Sequence, residues 1–159
     1  MLTSFRNLLN RLILSISSFA LVLLVVTVTW QVFSRYVLND PSSWTGELAR
    51  YTMVWLGLLG ASYLFGSKGH LAITLLDSYL KGKAHIALHL LINAISYAFV
   101  YLAMFKGGLG LMAKTSHQLS PSLQLPMSTV YSILPISAVI IFVYLALNMI
   151  ELFVKPAQK

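Results

Sequence analysis

Few residues in this chain are able to do chemistry, and their spacing limits what each can do. Glu47 and Arg50 stand three apart in W-T-G-E-L-A-R, so on a helix they share a face and can form an ion pair beside lipid headgroups. Alternatively, Arg35 or Arg50 bonds across helices to a second subunit, because ionisable groups near an apolar region need partners. His85 and His89 are four apart, the spacing of two ligands on one helix face, but a metal needs further donors and haem needs axial ligands placed across a bundle. His70 and His117 have no evident ligand partners. Gly107-Gly108-x-Gly110 lacks the preceding strand that a nucleotide fingerprint requires, and reads as a flexible or closely packed helix end. Serines abound without a Ser-His-acid motif. The absence of cysteine removes disulfides, thiolate metal sites and Cys nucleophiles. No catalytic, metal or cofactor-binding residue is expected.

The elements that must position these residues follow from composition. With 58% hydrophobic and 9% charged residues, the chain excludes a water-soluble fold. Its formal charge of +7 is scattered among short connections, which points to anionic membrane lipids and away from nucleic acid. The pattern predicts an all-α integral membrane protein, a single membrane domain over residues 1–159. Four apolar runs, at about 12–33, 47–65, 84–112 and 127–154, are each long enough to cross a ~30 Å hydrocarbon core. The first exceeds the ~7–15 apolar residues of a signal peptide and is read as retained.

Finer signals refine these spans. Ser43 or Thr45 offers an N-cap for the second span, Gly66 and Gly69 break it, and Pro135 predicts a kink in the fourth. Leu71, Leu75, Leu76, Tyr79 and Leu80 recur at helical spacing, predicting a short interfacial amphipathic helix over about 70–80. A weaker stripe of Leu2, Phe5, Leu8, Leu9 and Leu12 suggests a second one at the N-terminus. Arg6, Arg11, Lys68, Lys81, Lys83, Lys155 and Lys159 share one side, against Arg35, Arg50, Lys106 and Lys114, so the positive-inside rule puts both termini in the cytoplasm.

A transport site would need ionisable residues or broken helices near the bilayer centre. Spans one and three have no acidic residue, Glu47 starts span two and Glu151 ends span four. Lys106 is the best embedded candidate, and its long stem can snorkel outward. Gly57, Gly60 and Ala61 leave a flat strip on span two that suits close helix approach, with packing inside the chain favoured over a second chain.

The stretch from Ser34 to Leu76 carries S-R-Y-V-L-N-D-P-S-S-W-T-G-E-L-A-R, then W-L-G-L-L-G-A-S, then K-G-H-L-A-I-T. It resembles the small membrane subunit of tripartite ATP-independent periplasmic (TRAP) transporters, the DctQ-like family. Gly46 stands where that family often has a second acidic residue, and Thr74 where an acidic residue follows the His-hydrophobic block. The resemblance implies a bacterial inner-membrane importer of organic acids, of the dicarboxylate or sialic acid class. Its partners would be a large transmembrane subunit that moves substrate with sodium and a periplasmic substrate-binding protein. Sodium is then expected in the large subunit, with no cofactor in this chain. The small subunit would scaffold the large one, with Arg35, Trp44, Glu47, Arg50, Trp55, Gly57 and Gly60 as interface candidates. The loops at 36–43 and 115–125 would help dock the binding protein, with Asp40 and His117 as contacts. The alternatives are a self-sufficient homodimeric four-helix transporter, which typically needs an acidic residue in its first span, and a haem-bearing respiratory anchor.

Overall fold

A computed structural model describes residues 2–67 and 83–154. The expected interfacial helix at 70–80 lies outside the described residues. Helix α1 spans Leu2–Tyr36 and α2 spans Ser43–Gly66. Helix α3 (Lys83–Phe99) runs through a π-helical segment, Val100–Lys106, into α4 (Gly107–Lys114). The last pass is α5 (Met127–Tyr131) followed by α6 (Ile133–Val154). Three stretches, Ser4–Tyr36, Leu90–Lys114 and Met127–Ile150, are long and apolar enough to cross a membrane. The remaining long helix, α2, is the second pass; it runs beside them in the same bundle and is less apolar because it carries Glu47, Arg50 and several hydroxyls.

The direction of each pass follows from its contacts. Ser34 near the end of α1 meets Ser42 and so places the start of α2 beside it, making the two helices antiparallel. Trp55 bonds to Val130, and Gly66 lies on the ring of Tyr144, so α2 and α5–α6 run the same way. Gly108 packs on Leu134 and Pro135 while Tyr97 stacks on Phe142, so the third pass is antiparallel to the fourth. The result is an up-down-up-down bundle with the two connections at 37–42 and 115–126 at one end.

Helix α6 is apolar all round because two of its sides are covered by other helices and the remaining side, with Ile136, Val139 and Ile150 exposed, suits lipid. One side joins Ile13, Leu59, Ile133, Tyr144 and Leu147 into a core with α1 and α2. The other joins Ala138, Ile141 and Leu145 to Val100 and Met104 of the π segment. That segment's wider turn holds Val100, Met104 and Gly108, every fourth residue, on the face towards α6, where a 3.6-residue turn would let them drift round the axis. Gly107 assists, since a Cβ there would lie 3.3 Å from the carbonyl oxygen of Leu102, to which its own amide bonds.

At the opposite end, polar side chains tie three passes together. Arg6 donates to Asn148 Oδ1 at 2.8 Å, Tyr144 donates to Asn10 Oδ1 at 2.6 Å, and Asn148 Nδ2 donates to the Phe65 carbonyl at 3.2 Å. In a bilayer, packing and interhelical hydrogen bonds must supply the association that the hydrophobic effect supplies in water.

Several expectations are corrected here. The N-terminal stripe is not a separate interfacial helix: residues 2–36 contain no glycine or proline, so α1 continues unbroken and Arg6 is drawn onto the bundle. The second span starts at Ser43 with Ser42, and neither Ser43 nor Thr45, at the N-cap. The kink expected at Pro135 appears as a break at Ser132, because proline has no N–H to offer the Tyr131 carbonyl and its ring crowds that oxygen. Gly66 is a packed helix end more than a breaker, since any side chain there would meet the Tyr144 ring.

Candidate functional site

Both connections at the loop end are held by specific hydrogen bonds. Asn39 has φ 53°, a left-handed conformation that Asn tolerates better than most residues, and this turn brings the Asp40 amide to the Ser34 carbonyl at 3.1 Å. Beneath it runs a chain of hydroxyls: Ser34 Oγ to Ser42 Oγ at 3.2 Å, then Ser42 Oγ to Thr45 Oγ1 at 2.8 Å. Thr45 and Ser34 are buried, so these hydroxyls satisfy one another where water is excluded.

The second connection folds back on itself. Ser120 N donates to the Leu125 carbonyl at 2.9 Å, Leu125 N returns to Ser120 Oγ at 3.2 Å, and Met127 N reaches the Gln118 carbonyl at 2.8 Å. Gln124, with φ 53°, turns the tip, and its side-chain amide donates to the Ser120 and Pro121 carbonyls. Two amides at this tip point at α2: Ser122 N donates to Glu47 Oε1 and Leu123 N to Glu47 Oε2, both at 3.0 Å. A carboxylate with both oxygens accepting is a strong, charge-assisted clamp.

Glu47 belongs to a column on α2. Tyr51, one turn on, contacts Met127 Sδ through its hydroxyl at 3.5 Å, and Trp55, another turn on, donates Nε1–H to the Val130 carbonyl at 3.0 Å. Spacing of i, i+4, i+8 puts all three on one face, and each engages a different level of the 122–130 segment. The expected Glu47–Arg50 ion pair does not form; the loop amides take the carboxylate, and Arg50 is exposed. The sequence carried the signal in the Glu47, Tyr51, Trp55 spacing, but not the loop that answers it.

The other candidates divide cleanly. Glu47 and Trp55 are engaged within the chain, while Trp44, Arg35 and Arg50 are exposed, with the Arg35 guanidinium 5.8 Å from the Tyr36 ring centre. Gly57 and Gly60 would meet nothing within 4 Å if given a Cβ, so the reading of internal packing is corrected: their surface is open. The glycines that do pack inside are Gly66 and Gly108. Asp40 and His117 are both exposed in the loop-end connections. The backbones of His85 and His89 lie in the first two turns of α3. Among the described residues no three His, Cys, Asp or Glu side chains gather as a metal site.

Among the described residues the buried polar side chains are hydroxyls, with Glu47 at the loop end the one buried charge. This is an all-helical, multi-pass membrane protein whose polar interactions concentrate at its two ends. A model of the DctQ component of tripartite ATP-independent periplasmic transporters matches residues 24–155, and the chain belongs to that family. It is similar to the sialic acid TRAP transporter small permease protein SiaQ of Vibrio cholerae, 37% identical over 65 residues, covering 41% of this chain and 38% of that one. It is also similar to a Haemophilus influenzae protein assigned to the TRAP transporter small permeases, 31% identical over 80 residues and half of each chain. The matched regions thus span half or less of these relatives. The family is a transporter component and not an enzyme family.

Proposed function

We propose that this chain is the small permease subunit of a sodium-coupled TRAP importer for an organic acid, of the sialic acid or dicarboxylate class. It braces the large transmembrane subunit in the inner membrane and offers its loop end to the periplasmic substrate-binding protein. The observation that carries this reading is the distribution of polar groups. Among the described residues the mid-bundle interior holds no charge, only hydroxyls: Thr27 and Ser62 bond to their own helices, at the Leu23 and Leu58 carbonyls, and Ser137 is buried without a hydrogen-bond partner. Moving a charged solute or ion calls for ionisable residues or unwound backbone near the bilayer centre, and none lines this interior among those residues. What the chain offers instead is surface. Phe19, Val22, Val26 and Trp30 of α1 are exposed, as are Arg50, Met53, Val54 and Gly57 along α2.

Support for the substrate class comes from the resemblance and from the name of the Vibrio cholerae relative. Support for the orientation comes from the excess of Lys and Arg on the side bearing both termini. The test is co-purification of the tagged chain with the large subunit in detergent, followed by reconstituted, binding-protein-dependent uptake with and without this chain. Uptake lost without the chain and restored with it supports the reading. Accumulation driven by this chain alone overturns it.

A further inference from the structure

Lys106 closes the π segment and is exposed on the outside of the bundle. Eight residues of helix, about 12 Å of rise, separate it from the end of α4 at Lys114. A four-carbon stem of roughly 6 Å at ordinary bond lengths covers about half that rise. Its ammonium therefore stays in or near the apolar band, flanked by the exposed Tyr101, Leu102 and Leu109. Intramembrane cations normally face a bundle interior or pair with an anion.

This one does neither within the described residues. The third pass, Lys83–Lys114, contains no acidic residue. Glu47 is taken by the Ser122 and Leu123 amides, Asp40 sits in the connection after α1, and Glu151 ends the fourth pass at the far end of the bundle. On the same outward side, Ala103, Gly107 and Gly110 are exposed and follow one another at helical spacing. A Cβ on Gly110 would meet nothing within 4 Å. A second helix can come close to the backbone beside the charge.

We propose that Lys106 pairs, inside the bilayer, with a carboxylate on a transmembrane helix of the large subunit that seats along this face. The inference rests on the assignment of the chain as a small permease subunit. It adds the third pass, with its π turn, to an interface that α1 and α2 alone would otherwise define. The π winding matters because it keeps Val100, Met104 and Gly108 on α6 while leaving Lys106 pointing outward.

The test uses the co-expressed complex. Large subunit recovered on the tagged chain in detergent is expected to fall about fivefold for Lys106→Leu and to stay near wild type for Lys106→Arg. In addition, a photoreactive side chain at Ala103, with Lys106 intact, is expected to crosslink in native membranes to a large-subunit peptide bearing Asp or Glu. Wild-type recovery by Lys106→Leu overturns the proposal, as do crosslinks to lipid only or to a segment without an acid. If Lys106→Leu lowers the melting temperature of the isolated chain, the crosslink decides. If wild-type chain recovers no large subunit at all, the small-permease assignment fails first and this proposal with it.

Discussion

The carboxylate of Glu47 and the backbone amide of Ser122 meet at 3.0 Å although 75 residues separate them in sequence. The contact fixes the tip of the 115–126 connection to the first turns of α2, and with it the shape of the surface presented at the loop end. Glu47→Gln keeps the size but can offer only one acceptor oxygen, so one loop amide loses its partner. The variant also loses the negative charge that strengthens both bonds, so the loop should be held less firmly. Hydrogen exchange over residues 118–126 should rise in the variant; unchanged protection there would rule the clamp out as a determinant of loop order.

Gly66 and Gly57 should respond oppositely to the same change. At Gly66 a methyl group would press into the Tyr144 ring, so Gly66→Ala should destabilise the isolated chain by about 1–3 kcal/mol as an overpacked site. At Gly57 nothing lies within 4 Å, and alanine should be neutral or gain up to about 1 kcal/mol in helix propensity. Melting in detergent measures both. Equal effects would contradict the difference in their surroundings.

Trp55→Phe removes the N–H donated to the Val130 carbonyl together with part of the indole packed on the α1–α2–α6 core, so a cost of at least about 0.5–1.5 kcal/mol is expected. A Trp55→Phe, Tyr51→Phe double variant should lose more than either single one. Differential melting of the four proteins reads this, and a silent Trp55→Phe would show that the bond contributes nothing.

Orientation can be read from a chain with no native cysteine. A single cysteine at His117 should react with a membrane-impermeant maleimide added outside the inner membrane, and one at Lys159 should react only after permeabilisation. The reverse pattern would place the termini outside.

Asp40 is exposed in the first connection, amid a loop end otherwise dominated by Arg35, Arg50 and Lys114. Asp40→Lys should weaken capture of the substrate-binding protein by the assembled complex, read by surface-bound titration. Affinity equal to wild type would remove Asp40 from the docking surface.

The bundle was legible in the sequence because a bilayer imposes length and polarity on every crossing segment. The helices cover the apolar runs, although the first begins at Leu2, well ahead of the expected start at residue 12. What escaped is of a different kind. Glu47 was paired with Arg50 because a helix-local rule sees only residues three or four apart, whereas its partners come from a connection that folds back from the third pass. The π turn leaves no pattern of its own, since its residues are as apolar as any span and its glycines look like a fraying end. The glycines were misjudged for the same reason: spacing tells which could lie on a face, and only the neighbouring helix tells whether that face is covered. Proline at 135 did disturb its helix, one turn earlier than its own position, where the carbonyl it cannot serve lies.

The bond between Arg6 and Asn148 spans 142 residues, which has a consequence for biogenesis. During synthesis the opening helix enters the bilayer long before its counterpart has left the ribosome, so that closure cannot happen helix by helix as each one is inserted. The cationic side chain must wait near the headgroups, and the fold is completed only when the final segment arrives. A nascent chain stalled before residue 148 would therefore hold its first helix at one end only, where Ser34 already meets Ser42 at the start of the second.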